Sequence, residues 1–478
     1  MRYVDNKLNC KDIFEDIIKN WNLEAKQEDD KYFYYVDEVN AIENGSKCYV
    51  IGRKGMGKTA ISEYLSQKER YNIFSEKMTF KNFPYNILYN LADNDYRLPN
   101  QYITTWKYII YNTILKMMAQ NNGLKCEIKE VLSNMYPKDA REVLKKSLKK
   151  WTTKEFGLQI LSNGFNYGRE EFKEEISWQE KVDIFEEIIE KYIDDSFYYI
   201  LIDELDEDYK AFINNKERED YFSLLTSLFK AVQDIRSKFK GKGNIRPVVF
   251  LRSDIYSLIH DSDKTKWSEF EIDLTWDKRR LKDMLCHRLV VSTNDRRINE
   301  RNVWNIVFDR KYIHMGNRGK NKMNNFDYIS RSTHLRPRDY VYYIKECAKL
   351  ALKRNEDVIL AQNIKEVDRN FSEYLRKEIV DEIYPVLPNI SDVFAIFSQI
   401  RKQTFNPKDF ISAYTSSYGK TEDEARDILL KLFDHGIIGN QPSMKGQQIF
   451  KYQHLEALFN FNENIIIHRG LYKALQIF

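Results

Sequence analysis

Gly52, Gly57, Lys58 and Thr59 stand in the spacing Gly-x-x-x-x-Gly-Lys-Thr, directly after an apolar run at 48–51. That spacing suits one chemistry, the cradling of a polyphosphate. Glycines at 52, 55 and 57 let backbone N–H groups converge on phosphate oxygens without a side chain in the way. Lys58 is placed to reach the β- and γ-phosphates, and Thr59 to ligate Mg2+. The whole stretch Gly52, Arg53, Lys54, Gly55, Met56, Gly57, Lys58, Thr59 and Ala60 is therefore the candidate nucleotide-binding loop. Residues from 59 onward have helical apolar spacing, so a helix N-terminus with its unpaired N–H groups points at the same anion. The spacing predicts strand, loop and helix in that order, with ATP and Mg2+ as ligands. A preference for ATP over GTP is not written in these residues.

Hydrolysis needs a second, acidic element. The run Phe197, Tyr198, Tyr199, Ile200, Leu201, Ile202 ends in Asp203 and Glu204. Six apolar or aromatic residues in a row read as a parallel strand buried on both faces, and open α/β sheets place ligands at the carboxyl ends of such strands. Asp203 is the candidate Mg2+ holder with Thr59. Glu204 is the candidate general base for the attacking water. A further short run at 248–251 ends in Arg252, Ser253 and Asp254, and is expected beside the Asp203 strand with Arg252 as a γ-phosphate sensor. Arg336 and Arg338 flank Pro337 at the start of an expected helix running through 352. Pro suits a first helical turn. Arginines there oppose the helix dipole, which points to an anionic partner and makes both candidate sensors or arginine fingers.

These elements imply an α/β fold, a P-loop parallel sheet with helical additions. About 140 residues separate Thr59 from Asp203, against about 30 for one strand–helix unit, so a helical insertion is expected over about 100–180. Helices are read at 103–118 and 138–151, a polar loop at 162–168, and a helix at 179–192. The expected division is a P-loop core over 1–270, a helical lid over 271–385 and a winged-helix-like domain over 386–478. The lid is interrupted at 314–325 by a basic, glycine-bearing loop (Gly316, Arg318, Gly319, Lys320, Lys322), a candidate phosphate or nucleic-acid contact. In the last domain three helices precede two wing strands read at 436–440 and 448–453. The third helix carries Glu422, Asp423, Glu424, Asp427 and Asp434 against Arg426 and Lys431. Phosphates repel such a surface, which favours a protein contact over a DNA contact.

The chain resembles the AAA-like P-loop ATPases that include origin-recognition and STAND-type members, and more narrowly stand-alone bacterial ATPases of anti-phage defence loci. The residues that carry the resemblance are 52–59, Ile202-Asp203-Glu204, 250–255, Asp273-Leu274-Thr275-Trp276, Arg336-Pro337-Arg338-Asp339 and Ile467-His468-Arg469-Gly470-Leu471. The resemblance implies a switch ATPase that changes the angle of a helical lid, and Arg336 or Arg338 as second sensor. It also implies anti-phage defence as the setting. AAA proteins usually carry Asn or Thr as first sensor, where this chain has Arg252 and Ser253.

Composition narrows the classes. With 76 basic and 72 acidic residues the net charge is only +4, so bulk charge does not drive nucleic-acid binding. Only 17 Gly and 9 Pro in 478 residues suit a helix-rich protein. Cys10, Cys48, Cys126, Cys286 and Cys347 are scattered and odd in number, as in reduced thiols. No signal-peptide core or membrane span is read, and a cytoplasmic location is expected. The expected partners are ATP and ADP, a second copy in a homo-oligomer, and an effector protein or nucleic acid. The alternative function is a nucleotide-responsive DNA-binding or transcription regulator acting through the winged helix.

Overall fold

The computed structural model describes residues 10–477 except 28, 69, 82, 93–96, 138–143, 154, 157–176, 210–214, 296, 317–318 and 443–446. The chain divides into a sheet unit, residues 35–53 and 58–274, and a helical unit, residues 10–34, 54–57 and 275–477.

Five parallel strands build the sheet: β1 (Tyr49–Gly52), β2 (Ile73–Thr79), β3 (Phe197–Asp203), β4 (Asn244–Arg252) and β5 (Glu271–Asp273). Their order is β2-β3-β4-β1-β5. The expected α/β class is therefore observed, and β4 does lie beside β3, pairing with it on one side and with β1 on the other. The central strands are continuous apolar runs because both faces are covered; in β3 every residue after Phe197 is buried. Each such buried side chain contributes about 1.5–3 kcal/mol of transfer free energy. The flanking β2 is only partly buried and mixed in polarity, with Ser75, Glu76 and Lys77 at its centre.

The long connection from β2 to β3 differs from the expected insertion. Helix Ile103–Gln120 packs on β2, β3 and helices Trp178–Tyr192 and Asn215–Lys238. Of its 18 residues only Ile103, Lys107, Lys116 and Gln120 are not buried. It is a core helix of the sheet unit, since a helix apolar all round must be enclosed. The additional helices are Cys126–Met135 and Leu144–Trp151. The loop read at 162–168 lies outside the described residues.

In the helical unit, helix Cys10–Asn20 packs against Pro337–Lys353 and Lys278–Thr293. Its Ile13, Phe14 and Ile17 join one apolar core that continues through Ile477. The sequence-based division placed these N-terminal residues with the P-loop core; their apolar stripe instead finds its partner in the helices after 275. Helices Ile390–Ile400, Pro407–Tyr418 and Glu422–Asp434 stand as expected. The accompanying antiparallel sheet runs Thr404–Phe405, Asn464–Ile467, Ile438–Gln441. The strand that pairs with Ile438–Gln441 is Asn464–Ile467, with its run of three isoleucines, and not the strand read at 448–453, which touches the sheet only through an Asn440–Ile449 bridge. In the basic segment at 314–325, Ile313–Met315 and Asn321–Met323 pair as an antiparallel hairpin, and Arg318 lies outside the described residues. Among the described residues no helix is long and apolar enough to cross a membrane.

Candidate functional site

Strand β1 delivers the chain to the loop, and two residues there need a backbone that L side chains resist: Gly55 at φ +82° and Gly57 at φ +102°. A Cβ added at Gly57 would meet nothing within 4 Å, so conformation, with open space beside it, is what requires glycine. Lys58 begins helix Lys58–Ser66. Its Nζ donates to the carbonyls of Gly52 at 2.7 Å and Arg53 at 3.0 Å, curled back on the loop that carries it. Burial pushes the Lys58 ammonium below its usual pKa; Asp206 opposes this, followed by Asp203 and Asp254, while Arg252 adds to it.

Across the same sheet edge, β3 ends in Asp203, 2% exposed. One of its oxygens, Oδ1, accepts the Glu204 backbone N–H at 2.8 Å. The other, Oδ2, lies 3.3 Å from the Lys77 ammonium, at ion-pair distance but without hydrogen-bond geometry. Burial raises the Asp203 pKa, against the pull of Lys77. Lys77 also pairs with Glu63 at 2.8 Å. Glu204 has a left-handed backbone, φ 62° and ψ 37°, unusual for a residue with a Cβ and a mark of local constraint. Its carboxylate accepts a short hydrogen bond from Thr79 Oγ1, at the end of β2. Thr79 is paired with Asp203 in the sheet register. Arg252, aligned with Gly52 in the β1–β4 register, is nearly buried and forks onto Asp254, with Nε 3.0 Å from Oδ1 and Nη2 2.6 Å from Oδ2. Its Nη1 lies 3.4 Å from Asp206 Oδ2.

The middle of the loop, residues 54–57, belongs to the helical unit. Trp276 Nε1 donates to the Met56 carbonyl at 2.8 Å. The Arg338 backbone N–H reaches the Gly55 carbonyl at 3.4 Å, and a Cβ on Gly55 would lie 3.3 Å from that of Arg338. Glu378 lies 3.5 Å from both Lys54 Nζ and Arg338 Nη1. Arg338 is part-exposed, whereas Arg336 is 1% exposed. The anion expected for Arg336 is supplied from within the fold. Its guanidinium meets Asp339 at 3.1 Å and Glu382 at 3.0 Å. Of the two arginines, Arg338 is therefore the one on the loop's surface.

The donor set fits ATP with Mg2+. A threonine hydroxyl and one buried carboxylate are hard oxygen ligands, and Mg2+ is usually held by one or two carboxylates together with substrate phosphates. The described residues contain no cluster of three or more His, Cys, Asp or Glu that could hold a metal alone. Sequence reasoning named Asp203 and Glu204, but it missed Lys77, Thr79, Trp276 and Glu378. The motif containing Trp276 was its one available signal.

Residues 279–380 match the model of a FunZ-associated C-terminal helical domain. No curated protein matches the chain. Among solved structures, the chain is similar to Cdc6p from Pyrobaculum aerophilum, at 12% identity and TM-score 0.31, covering 91% of this chain and 89% of that one. It is also similar to the Aeropyrum pernix ORC2 protein, at 11% identity and TM-score 0.41 over 91% and 87% of the two chains. A Walker-type ATPase of Pyrococcus abyssi matches at 12% identity and TM-score 0.41 over 93% and 96%.

Proposed function

We propose that the protein is a Mg2+-dependent ATPase working as a conformational switch. The observation that carries the reading is the charge arrangement at one sheet edge: a half-buried lysine following a glycine loop, its Nζ on the Gly52 and Arg53 carbonyls, within the field of Asp203, Asp206 and Asp254. Lys58 would exchange the carbonyls of Gly52 and Arg53 for the β- and γ-phosphates of ATP. Met56 and Gly57 would donate their backbone N–H groups to the same phosphates. Because a trans peptide holds its C=O and N–H on opposite sides, drawing the Gly55 and Met56 carbonyls toward Arg338 and Trp276 turns the N–H groups of Met56 and Gly57 the other way. Trp276 is thus a positioning residue. Mg2+, held by Thr59 and Asp203, would neutralise phosphate charge. Glu204, oriented by Thr79, would take a proton from the attacking water as its oxygen bonds to the γ-phosphorus and the bond to the leaving ADP oxygen breaks.

Arg338, beside Gly55 of the loop, would be the second sensor that the motif resemblance implies. Arg252 would act beside Gly52 as a γ-phosphate sensor, released in part from Asp254. Arg336 is better suited to holding the start of its helix than to touching phosphate. The motif resemblance supports anti-phage defence as the setting. Residues 390–467 would serve as a winged-helix-like module for a protein partner or a second copy. Every cation in the helix Glu422–Asp434 has an acidic partner on that helix, Arg426 with Glu422 at 2.8 Å and Lys431 with Asp427 at 2.6 Å, which leaves no surplus positive charge for a duplex. The test is ATP turnover with Mg2+ and with chelator. Equal rates in the two, or none with Mg2+, would remove the proposal.

A further inference from the structure

A cavity of about 530 Å³ in the helical unit has lining residues that belong to none of the machinery above. Among the described residues its charged lining is entirely basic: Arg331, Arg469 and Lys473, with the amides Asn321, Gln403 and Gln448 around them. Arg331 and Lys473 have no carboxylate partner among the described residues. The Arg331 guanidinium lies 4.0 Å over the Tyr328 ring, its Nη1 meets only the Met315 sulfur at 2.7 Å, and its Nε is buried without a hydrogen bond. Among the described residues Arg469 has a single acidic partner, Asp368, at 3.3 Å. That carboxylate is already occupied, accepting from Tyr328 and Tyr343 at 2.8 Å each. Both guanidiniums act on the phenols of Tyr328 and Tyr472, so they share one neighbourhood.

A part-buried arginine without a counter-ion is costly, because taking the charge out of water is not offset by a partner. Three cations that converge on one concavity make a site for a multiply charged anion, and arginine's planar fork suits phosphate. The volume lies in the range of small-molecule pockets, about 300–1,000 Å³. The three amides offer paired donors and acceptors for a polar ring or hydroxyls. We propose that this cavity binds a small phosphorylated molecule of nucleotide size, as a second ligand site separate from the glycine loop. It adjoins the hairpin at 313–323, and it contains Arg469 of the motif at 467–471, to which the ATPase chemistry gives no role. The site stands whether or not the glycine loop binds ATP.

The test is calorimetric titration of full-length Lys58→Ala protein, whose loop is disabled, with inorganic pyrophosphate as probe. Saturable one-site binding is expected, weakened at least tenfold by Arg331→Gln with Lys473→Gln, since each removes a charge-assisted contact. Should that pair lower the melting temperature, Lys473→Gln alone, at an exposed position, is expected to weaken binding about threefold or more. Absence of saturable binding, or equal affinity in the folded variants, overturns the proposal. So does a single-stranded oligonucleotide that binds through the same residues more tightly than pyrophosphate, because the site would then serve a polymer.

Discussion

Replacing Trp276 by Phe removes one N–H donor and leaves an aromatic ring in place. The ring sits 6.5 Å from that of Tyr34 and 5.2 Å from the Arg280 guanidinium, so Phe keeps most of this packing. What disappears is the 2.8 Å bond to the Met56 carbonyl. A neutral hydrogen bond of that kind is worth about 0.5–1.5 kcal/mol net. Met56 is 4% exposed, so water does not readily replace the lost donor, and the upper half of that range applies. If the bond's role is to fix the direction of the Met56–Gly57 peptide, its loss appears as loop disorder that ATP must reverse. Affinity then falls about five- to twelvefold, on the scale where about 1.4 kcal/mol is tenfold. Calorimetric titration of Mg·ATP into wild type and Trp276→Phe measures it, with melting temperature as the control for folding. Unchanged affinity in a variant of unchanged stability would refute the positioning role, while failure of the wild type itself to bind would strike at the ATPase reading instead.

Asp203→Asn should abolish Mg2+-dependent turnover while leaving the ligand-free protein as stable as wild type or more so. Burial raises the Asp203 pKa, so its ionised form at neutral pH opposes folding, and Lys77 keeps Glu63 as partner; a lower melting temperature would contradict this. Arg336→Ala should destabilise the helical unit by about 3–5 kcal/mol, because Asp339 and Glu382 lose their buried partner, whereas Arg338→Ala should reduce turnover without a comparable change in melting temperature. Mixing Arg338→Ala with Lys58→Ala protein should restore no activity if Arg338 serves its own chain's loop, and recovery would mean an arginine acting across an oligomer. Glu271 is pushed up to about 7, by burial first and Asp273 second. A raised carboxylate favours the fold below its unfolded value and loses that contribution as pH rises through about 7, so melting temperature should drop between about pH 5 and 8, and Glu271→Gln should flatten that drop.

The parts of this site that could be read from sequence are those whose chemistry is local. The glycine loop, Lys58, and the run ending in Asp203 and Glu204 each declare themselves within a dozen residues, and β4 followed from a short β-branched run. What escaped depends on distance along the chain. Trp276 and Met56 are 220 positions apart, and Arg336 and Glu382 are 46 apart. Thr79 and Lys77 lie on a flanking, half-buried strand whose centre is the polar run Ser75, Glu76 and Lys77, so it carries no long apolar run. The gap between motifs, set against typical lengths, points to an insertion that would contain helix Ile103–Gln120, whereas the nearly all-round apolar surface of that helix points to enclosure in the sheet unit. Residues 10–20 fall in the expected 1–270 core by proximity in sequence to the loop, yet their stripe of Ile13, Phe14 and Ile17 packs with helices that begin after 275.

The most direct test of the central claim is single-turnover hydrolysis of ATP with Mg2+ by wild type, Lys58→Ala and Glu204→Gln, read beside ATP affinity for each. The account predicts that Lys58→Ala loses binding, and that Glu204→Gln binds as wild type but turns over slower by about a hundredfold or more, the scale of a general base. Wild-type turnover in Glu204→Gln would place water activation on another residue, and undiminished ATP affinity in Lys58→Ala would contradict the assignment of the loop itself.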